Sequence, residues 1–170
     1  MGNNVIIGIV IAIIIVAIVV FLVSYLMKKK NQDRLDALEK RKEELFDLPV
    51  IEEVDDVKKM HLVGQSQNTF REWSQKWNDI STSSFAELES QIFEVENLNE
   101  SFRFLKGKKA VVEAENTMNQ MEKEVSEIRE GLKELRETEE RNSLAVQQAL
   151  DIYEELKETI KEDEQSYGPA

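Results

Sequence analysis

From Val5 to Met27 the chain runs for 23 residues with 21 apolar side chains and no charge. No other feature restricts the fold so severely. As a helix rising about 1.5 Å per residue the run reaches roughly 34 Å, enough for a hydrocarbon core of about 30 Å. Its Val and Ile content would suit a strand in water. An uncharged run of this length instead fits lipid, where a single helix satisfies all of its own backbone hydrogen bonds. A cleavable signal peptide would need a basic start, a shorter apolar stretch and a small-residue cleavage site. Here Met1-Gly2-Asn3-Asn4 carries no charged side chain, and Lys28, Lys29 and Lys30 follow the run directly. The reading is an uncleaved transmembrane helix over 5–27. Met1-Gly2 is not a myristoylation signal, because Ile6 stands where that motif takes Ser or Thr.

Orientation follows from the flanking charges. Lys28, Lys29, Lys30 and Arg34 lie just after the span and nothing basic precedes it, which predicts a cytoplasmic C-terminal bulk and an extracellular tail of residues 1–4. The same cations suit anionic lipid headgroups, so membrane lipid is an expected partner.

Everything charged lies beyond the span: 34 acidic and 22 basic residues, for a net charge of −12. This part is too charged and too poor in apolar groups to build a thick core. By count, residues 28–46 carry +2, 47–105 carry −7, 106–136 are neutral and 137–170 carry −7. The acidic blocks read as solvated helix faces. Nucleic acid is excluded as a main partner, since polyanion binding relies on Lys and Arg displacing counterions. The absence of Cys removes disulfides, thiolate metal sites and cysteine nucleophiles. A lone histidine, His61, argues against a His-based relay, and two Pro with six Gly are too few to punctuate a β-protein.

Helical spacing runs through the remainder. Leu35, Leu38, Lys42 and Leu45 predict an amphipathic helix stopping before Pro49; Ile51, Val54 and Val57 predict a short second one ending near Gly64. Phe70, Trp73, Trp77 and Ile80 mark a third, with Ser66 as its N-cap. Ser81-Thr82-Ser83-Ser84 reads as an interruption, with Ser84 and Glu87 as the capping box of a fresh helix striped by Phe85, Leu88, Ile92 and Val95. The longest signal is a heptad frame: Val111, Ala114, Met118, Met121, Val125, Ile128, Leu132 and Leu135. It passes Glu139 and Asn142 and resumes at Val146, Ala149, Tyr153, Leu156 and Ile160. A register kept across a polar gap predicts one continuous helix, and a period of 3.5 predicts left-handed packing. Gly131 lies between core positions and weakens the helix by about 1 kcal/mol relative to Ala. Gly168-Pro169 ends the run.

The chain is expected to fold back at 81–84 and 97–109, making an all-α protein: one N-terminal transmembrane helix, then spectrin-repeat-like antiparallel coiled-coil helices. The expected organisation is membrane-proximal helices over 28–62, the repeat region over 66–165 and a terminal turn over 166–170. A parallel homodimer leaves the same periodicity. The aromatics Phe70, Trp73, Trp77, Phe85, Phe93, Phe102 and Phe104 favour the bundle, being bulky for a two-stranded seam. Phe70, Arg71, Trp73 and Trp77 are also the candidate partner surface, since aromatics and Arg are enriched at hot spots. Lys106, Lys108 and Lys109, the one basic cluster away from the span, could bind an acidic peptide or lipid but read more simply as dressing a turn. No phosphate loop, dinucleotide fingerprint, zinc motif or calcium loop is present; paired carboxylates such as Asp55-Asp56 diverge on a helix. The chain is read as no enzyme and as using no cofactor.

Five strings carry a resemblance: Glu43-Glu44-Leu45-Phe46-Asp47-Leu48-Pro49, Gly64-Gln65-Ser66-Gln67, Thr69-Phe70-Arg71-Glu72-Trp73, Gln75-Lys76-Trp77 and Asn97-Leu98-Asn99-Glu100-Ser101-Phe102-Arg103-Phe104. Together they resemble the N-terminal region of EzrA, the septation ring formation regulator family of Gram-positive bacteria. The resemblance implies a single-pass cell-membrane protein at the division septum, with an arc of spectrin-like helices inside the cell. It further implies negative regulation of the FtsZ ring and contacts with FtsZ and other division proteins. The resemblance implies family members of several hundred residues, of which the chain looks like roughly the first third, with no counterpart here of the functional patch near their C-terminus. Two other classes share the layout. One is a peripheral stalk subunit of a rotary ATPase, which tends to an 11-residue period; the other is a dimeric membrane-anchored signalling coiled coil.

Overall fold

The structure, a computed structural model, describes residues 2–167. Five α-helices account for most of it: α1 (Gly2–Phe46), α2 (Val50–Lys58), α3 (Gln65–Asp79), α4 (Phe85–Glu100) and α5 (Phe104–Tyr167), with a π-helical turn at Ile80–Ser84. Among the described residues there is no strand. The chain divides into two units, residues 1–49 with 76–126 and residues 50–75 with 127–170.

In the first unit, α1 carries the apolar run and continues without a break into its charged half. From Val5 to Val23 the large apolar side chains are exposed on every side, from 48% at Val10 to 71% at Phe21, and Ser24 and Met27 near the end of the run are half-buried. A helix apolar all round is one that a large protein core or a membrane covers, and this one is long and apolar enough to cross a membrane. From Asn31 the same helix acquires a one-sided stripe: Asn31, Leu35, Leu38 and Leu45 are buried. It stops at Phe46 because Pro49 excludes the helical conformation just before it and lacks an N–H to donate.

Facing α1 are α4, with Leu88, Ile92, Val95 and Asn99 buried, and the first half of α5, with Val111, Ala114, Met118, Met121 and Val125 buried. Directions follow from the side-chain pairs. Lys42 meets Glu89 and Phe46 meets Phe85, so four residues forward on α1 are four back on α4. Arg34 pairs with Glu115 and Arg41 with Glu122, both 81 residues apart, so α5 runs parallel to α1. Those two pairs are one heptad apart, the spacing at which α-helices return to the same face.

Ser81–Ser84 does not interrupt the chain. Ser84 is helical (φ −67°, ψ −39°) and makes no capping hydrogen bond, so the expected capping box with Glu87 is absent. The Phe85 N–H instead donates to the Ile80 carbonyl, one residue further back than in an α-helix. Ser81 Oγ (3.2 Å) and Thr82 Oγ1 (2.7 Å) donate to the Asn78 carbonyl. The hydroxyls that look like a breaker supply internal hydrogen bonds to the π-turn. The reversal falls at Ser101–Arg103, inside the expected 97–109 window. There the Arg103 N–H donates to Leu98 O (2.8 Å) and the Phe102 N–H to Asn99 O (3.2 Å), the hydrogen-bond pair of a Schellman motif.

In the second unit Val50 and Val57 of α2 are buried, while Ile51, expected on that stripe, is exposed. On α5 Ile128, Leu132 and Leu135 are buried. Arg129 bonds Glu53 through Nε (3.1 Å) and Nη2 (2.8 Å). That bond, with the Glu53 charge, outweighs partial burial and raises the Arg129 pKa. The helix continues as predicted through Glu139 and Asn142. Beyond them Val146, Tyr153, Leu156 and Ile160 are all exposed. The expected turn at 166–170 begins on residues still in α5, and Gly168 and Pro169 lie outside the described residues.

Candidate membrane anchor and interaction surfaces

Lys28, Lys29 and Lys30 are exposed on the uninterrupted α1 helix. They separate the apolar run from Asn31, the first buried bundle residue, by about 6 Å of helix from Met27. Arg34, expected with them as a flanking cation, is only 28% exposed and is paired with Glu115. It is committed to holding α5 against α1.

Just inside this end lies a polar layer that the periodicity did not reveal. Asn31 Nδ2 donates to Asn99 Oδ1 (3.0 Å) and to the Phe104 carbonyl (3.2 Å), and both asparagines are 3% exposed. Gly107 closes the layer. A Cβ there would lie 3.0 Å from Asn31 Nδ2 and 3.1 Å from Asn99 Oδ1. Asn99 Nδ2 is buried without a partner, so the layer is held by the Asn31 amide, whose two bonds to Asn99 Oδ1 and the Phe104 carbonyl favour a single alignment of three helices, since a slip would break both in a dry interior.

Further along the bundle Lys42 lies between Glu39 (2.7 Å) and Glu89, with its Nζ 5.7 Å from the Phe85 ring centroid. Burial opposes its charge, but hydrogen bonds to both carboxylates and their negative charge prevail, and its pKa is raised. Phe46 adds an edge-on contact with Phe85 (5.1 Å) and a tilted one with Trp77 (6.1 Å).

The structure distributes the candidate partner residues rather than pooling them. Trp77 is half-buried against Phe46 in the first unit. In the second, Phe70 and Trp73 are half-buried and Arg71 is exposed. Trp73 lies over Gly131: a Cβ on that glycine would come within 2.3 Å of Cε2 and 2.4 Å of Nε1. Gly131 is therefore a seat for an indole, beyond the helix-weakening residue its position suggests. Phe104 is buried as the bundle reading requires, whereas Phe93 and Phe102 are 62% and 75% exposed, contrary to their expected place in the core. His61 is exposed in the segment between α2 and α3. Among the described residues no three His, Asp or Glu are grouped to hold a metal.

These features define a class: an all-helical chain whose N-terminal helix is long and apolar enough to cross a membrane, continuous with a bundle of charged amphipathic helices. The chain belongs to the EzrA family, described as septation ring formation regulators, which it matches over residues 9–170. It is similar to the septation ring formation regulator EzrA of Enterococcus faecalis (strain ATCC 700802 / V583), with 68% identity over 170 residues, all of this chain and 29% of that protein. The protein of the same name from Lactococcus lactis subsp. cremoris (strain MG1363) is 54% identical over 143 residues, 84% of this chain and 25% of that one. That of Streptococcus gordonii is 50% identical over 145 residues, 85% of this chain and 25% of that one. The chain thus spans less than a third of the length of these curated relatives. No solved structure matches it. The family is described as one of regulators.

Proposed function

We propose that this chain is the anchoring and membrane-proximal part of a negative regulator of septation ring formation. In this reading α1 crosses the cell membrane with its N-terminus outside, and the bundle works as a cytoplasmic scaffold at the division septum. The carrying observation is the continuity of α1: a 23-residue apolar run, largely exposed, passes into a bundle stripe with no break in the helix. The relatives are named as regulators of the septation ring, and a rigid exit from the membrane gives such a regulator its mechanism. It confines a binding surface to the inner leaflet, raising its effective concentration for anything assembling there. FtsZ or its division partners are the proposed targets. Arg71, with the half-buried Phe70 and Trp73 of the same unit, is the proposed surface. Co-sedimentation of FtsZ polymers with the full chain in nanodiscs tests this. Retention of the nanodiscs or shortened polymers is the expected result, weakened by Arg71→Glu; polymers unaffected and free of the chain would refute it for these residues.

A further inference from the structure

The turn between α4 and α5 breaks a local rule. The residue after a Schellman-capped helix occupies the left-handed region and is usually Gly, because a Cβ is strained there. Here it is Phe102, at φ 59°. The side chain kept at this strained position makes one edge-on contact, with the buried Phe104 ring (5.9 Å), yet Phe102 remains 75% exposed, and Leu105 on the next turn is 73% exposed. Strain retained around an exposed aromatic directs attention to what lies outside the protein.

The location of the turn says what that is. Asn99 pairs with Asn31. Three residues further along the turn and three back along α1, the Phe102 ring has Lys28 Nζ 5.9 Å from its centroid. Lys28 is the first residue after the apolar run, so the apex of the turn stands level with the end of the span. The surrounding chemistry is one-sided. From Ser101 to Val112 there is no acidic residue, while Arg103, Lys106, Lys108 and Lys109 are exposed there in a chain of net charge −12. Two exposed apolar side chains ringed by cations, beside a membrane-spanning segment, have the composition of an interfacial lipid-binding element.

We infer that the Ser101–Lys109 turn is a second membrane contact, in which Phe102 and Leu105 enter the acyl boundary while Arg103, Lys106 and Lys109 bind anionic phospholipid headgroups. The inference rests on α1 being the anchor. One attachment leaves a helical rod free to tilt and rotate about the exit point. A second, off the axis of α1, fixes the face that the bundle presents along the membrane.

The chain contains no cysteine, so nitroxide labels on Leu105→Cys, Gln148→Cys or Ile14→Cys report single sites in the full chain. The chain is placed in phosphatidylcholine nanodiscs with or without phosphatidylglycerol. At position 105 collisions with a water-soluble nickel chelate should fall several-fold relative to oxygen when phosphatidylglycerol is present. The label at 148 should remain aqueous, and that at 14 should lie in hydrocarbon with either lipid. Each basic residue near an anionic surface contributes a factor of about five in partitioning. Arg103→Glu/Lys106→Glu/Lys109→Glu, which alters only exposed positions, should therefore return the label at 105 to water with helicity unchanged. An aqueous label at 105 on anionic nanodiscs overturns the contact and leaves that face to a protein partner. Equal burial with both lipids overturns the headgroup assignment. An aqueous label at 14 overturns the anchor itself, a result distinct from either.

Discussion

Substituting Gly131 by Ala ought to stabilise the chain if only helix propensity mattered. Gly131 lies inside α5, and Ala is favoured over Gly in a helix interior by about 1 kcal/mol. The indole of Trp73 reverses the expected sign. A Cβ at position 131 would stand 2.3 Å from Cε2, 2.4 Å from Nε1 and 2.6 Å from Cζ2, far inside van der Waals contact with three atoms of a rigid ring. The ring cannot bend a terminus away as a Lys or Met could. Either α3 shifts or the indole leaves its seat, and forcing extra atoms into a packed site costs about 1–3 kcal/mol. Gly131→Ala is therefore expected to lower stability by up to about 2 kcal/mol once the propensity gain is subtracted. In a Trp73→Ala background the obstacle is gone, and the same substitution should raise stability by about 1 kcal/mol. Urea unfolding of the full chain in micelles, followed by circular dichroism, measures all four corners of this cycle. Tryptophan emission in a Trp77→Phe background adds an independent reading, since a displaced Trp73 moves into water and shifts to the red. Stabilisation by Gly131→Ala in the presence of Trp73, or equal changes in both backgrounds, would refute the reasoning.

Val125 and Tyr153 occupy equivalent places in one heptad series but are 1% and 63% exposed. Val125→Asp should cost about 3 kcal/mol or more by burying an unpaired charge, and Tyr153→Asp should change the urea midpoint by less than about 0.5 kcal/mol equivalent. Asn31→Ala removes the donor serving Asn99 Oδ1 and the Phe104 carbonyl. The expected loss is about 1–3 kcal/mol, from Asn99 Oδ1 left buried without its donor, read as a lowered unfolding midpoint. Lys42 has a raised folded-state pKa, burial being outweighed by Glu39 and Glu89. Its stabilisation is thus fully present below the unfolded lysine value of about 10.4 and disappears as pH rises through the higher folded value. The Tm difference between the native chain and Lys42→Met should be flat from neutral pH to that point and shrink above it.

Most of the bundle was legible because burial in a helix repeats. Leu35, Leu38 and Leu45, then Leu88, Ile92 and Val95, then the frame from Val111 to Leu135 are buried as their spacing predicts. Periodicity reports which face is apolar, however, and not whether anything covers it. The frame continues unchanged to Ile160, yet its last third is exposed among the described residues, and nothing in residues 142–160 taken alone marks the difference. Polar contacts were illegible for a different reason. Asn31 and Asn99 are 68 positions apart and meet only once α4 has turned back, while Gly107 and Gly131 each owe their role to a side chain from another helix. No local pattern encodes a partner so distant.

Local rules are most informative where they fail. Ser81–Ser84 violates helix propensity without consequence, because its hydroxyls return hydrogen bonds to the Asn78 carbonyl and the helix absorbs the extra residue as a π-turn. Phe102 also violates a rule, and its compensation within the fold is partial: its φ is strained, its ring meets Phe104 edge-on but stays largely exposed, and its charged neighbour is the first lysine after the apolar run. A violation answered internally needs no further partner. One answered only in part, at the end of the bundle adjoining the apolar run and amid cations in an acidic chain, is what the inferred contact with an anionic membrane face accounts for.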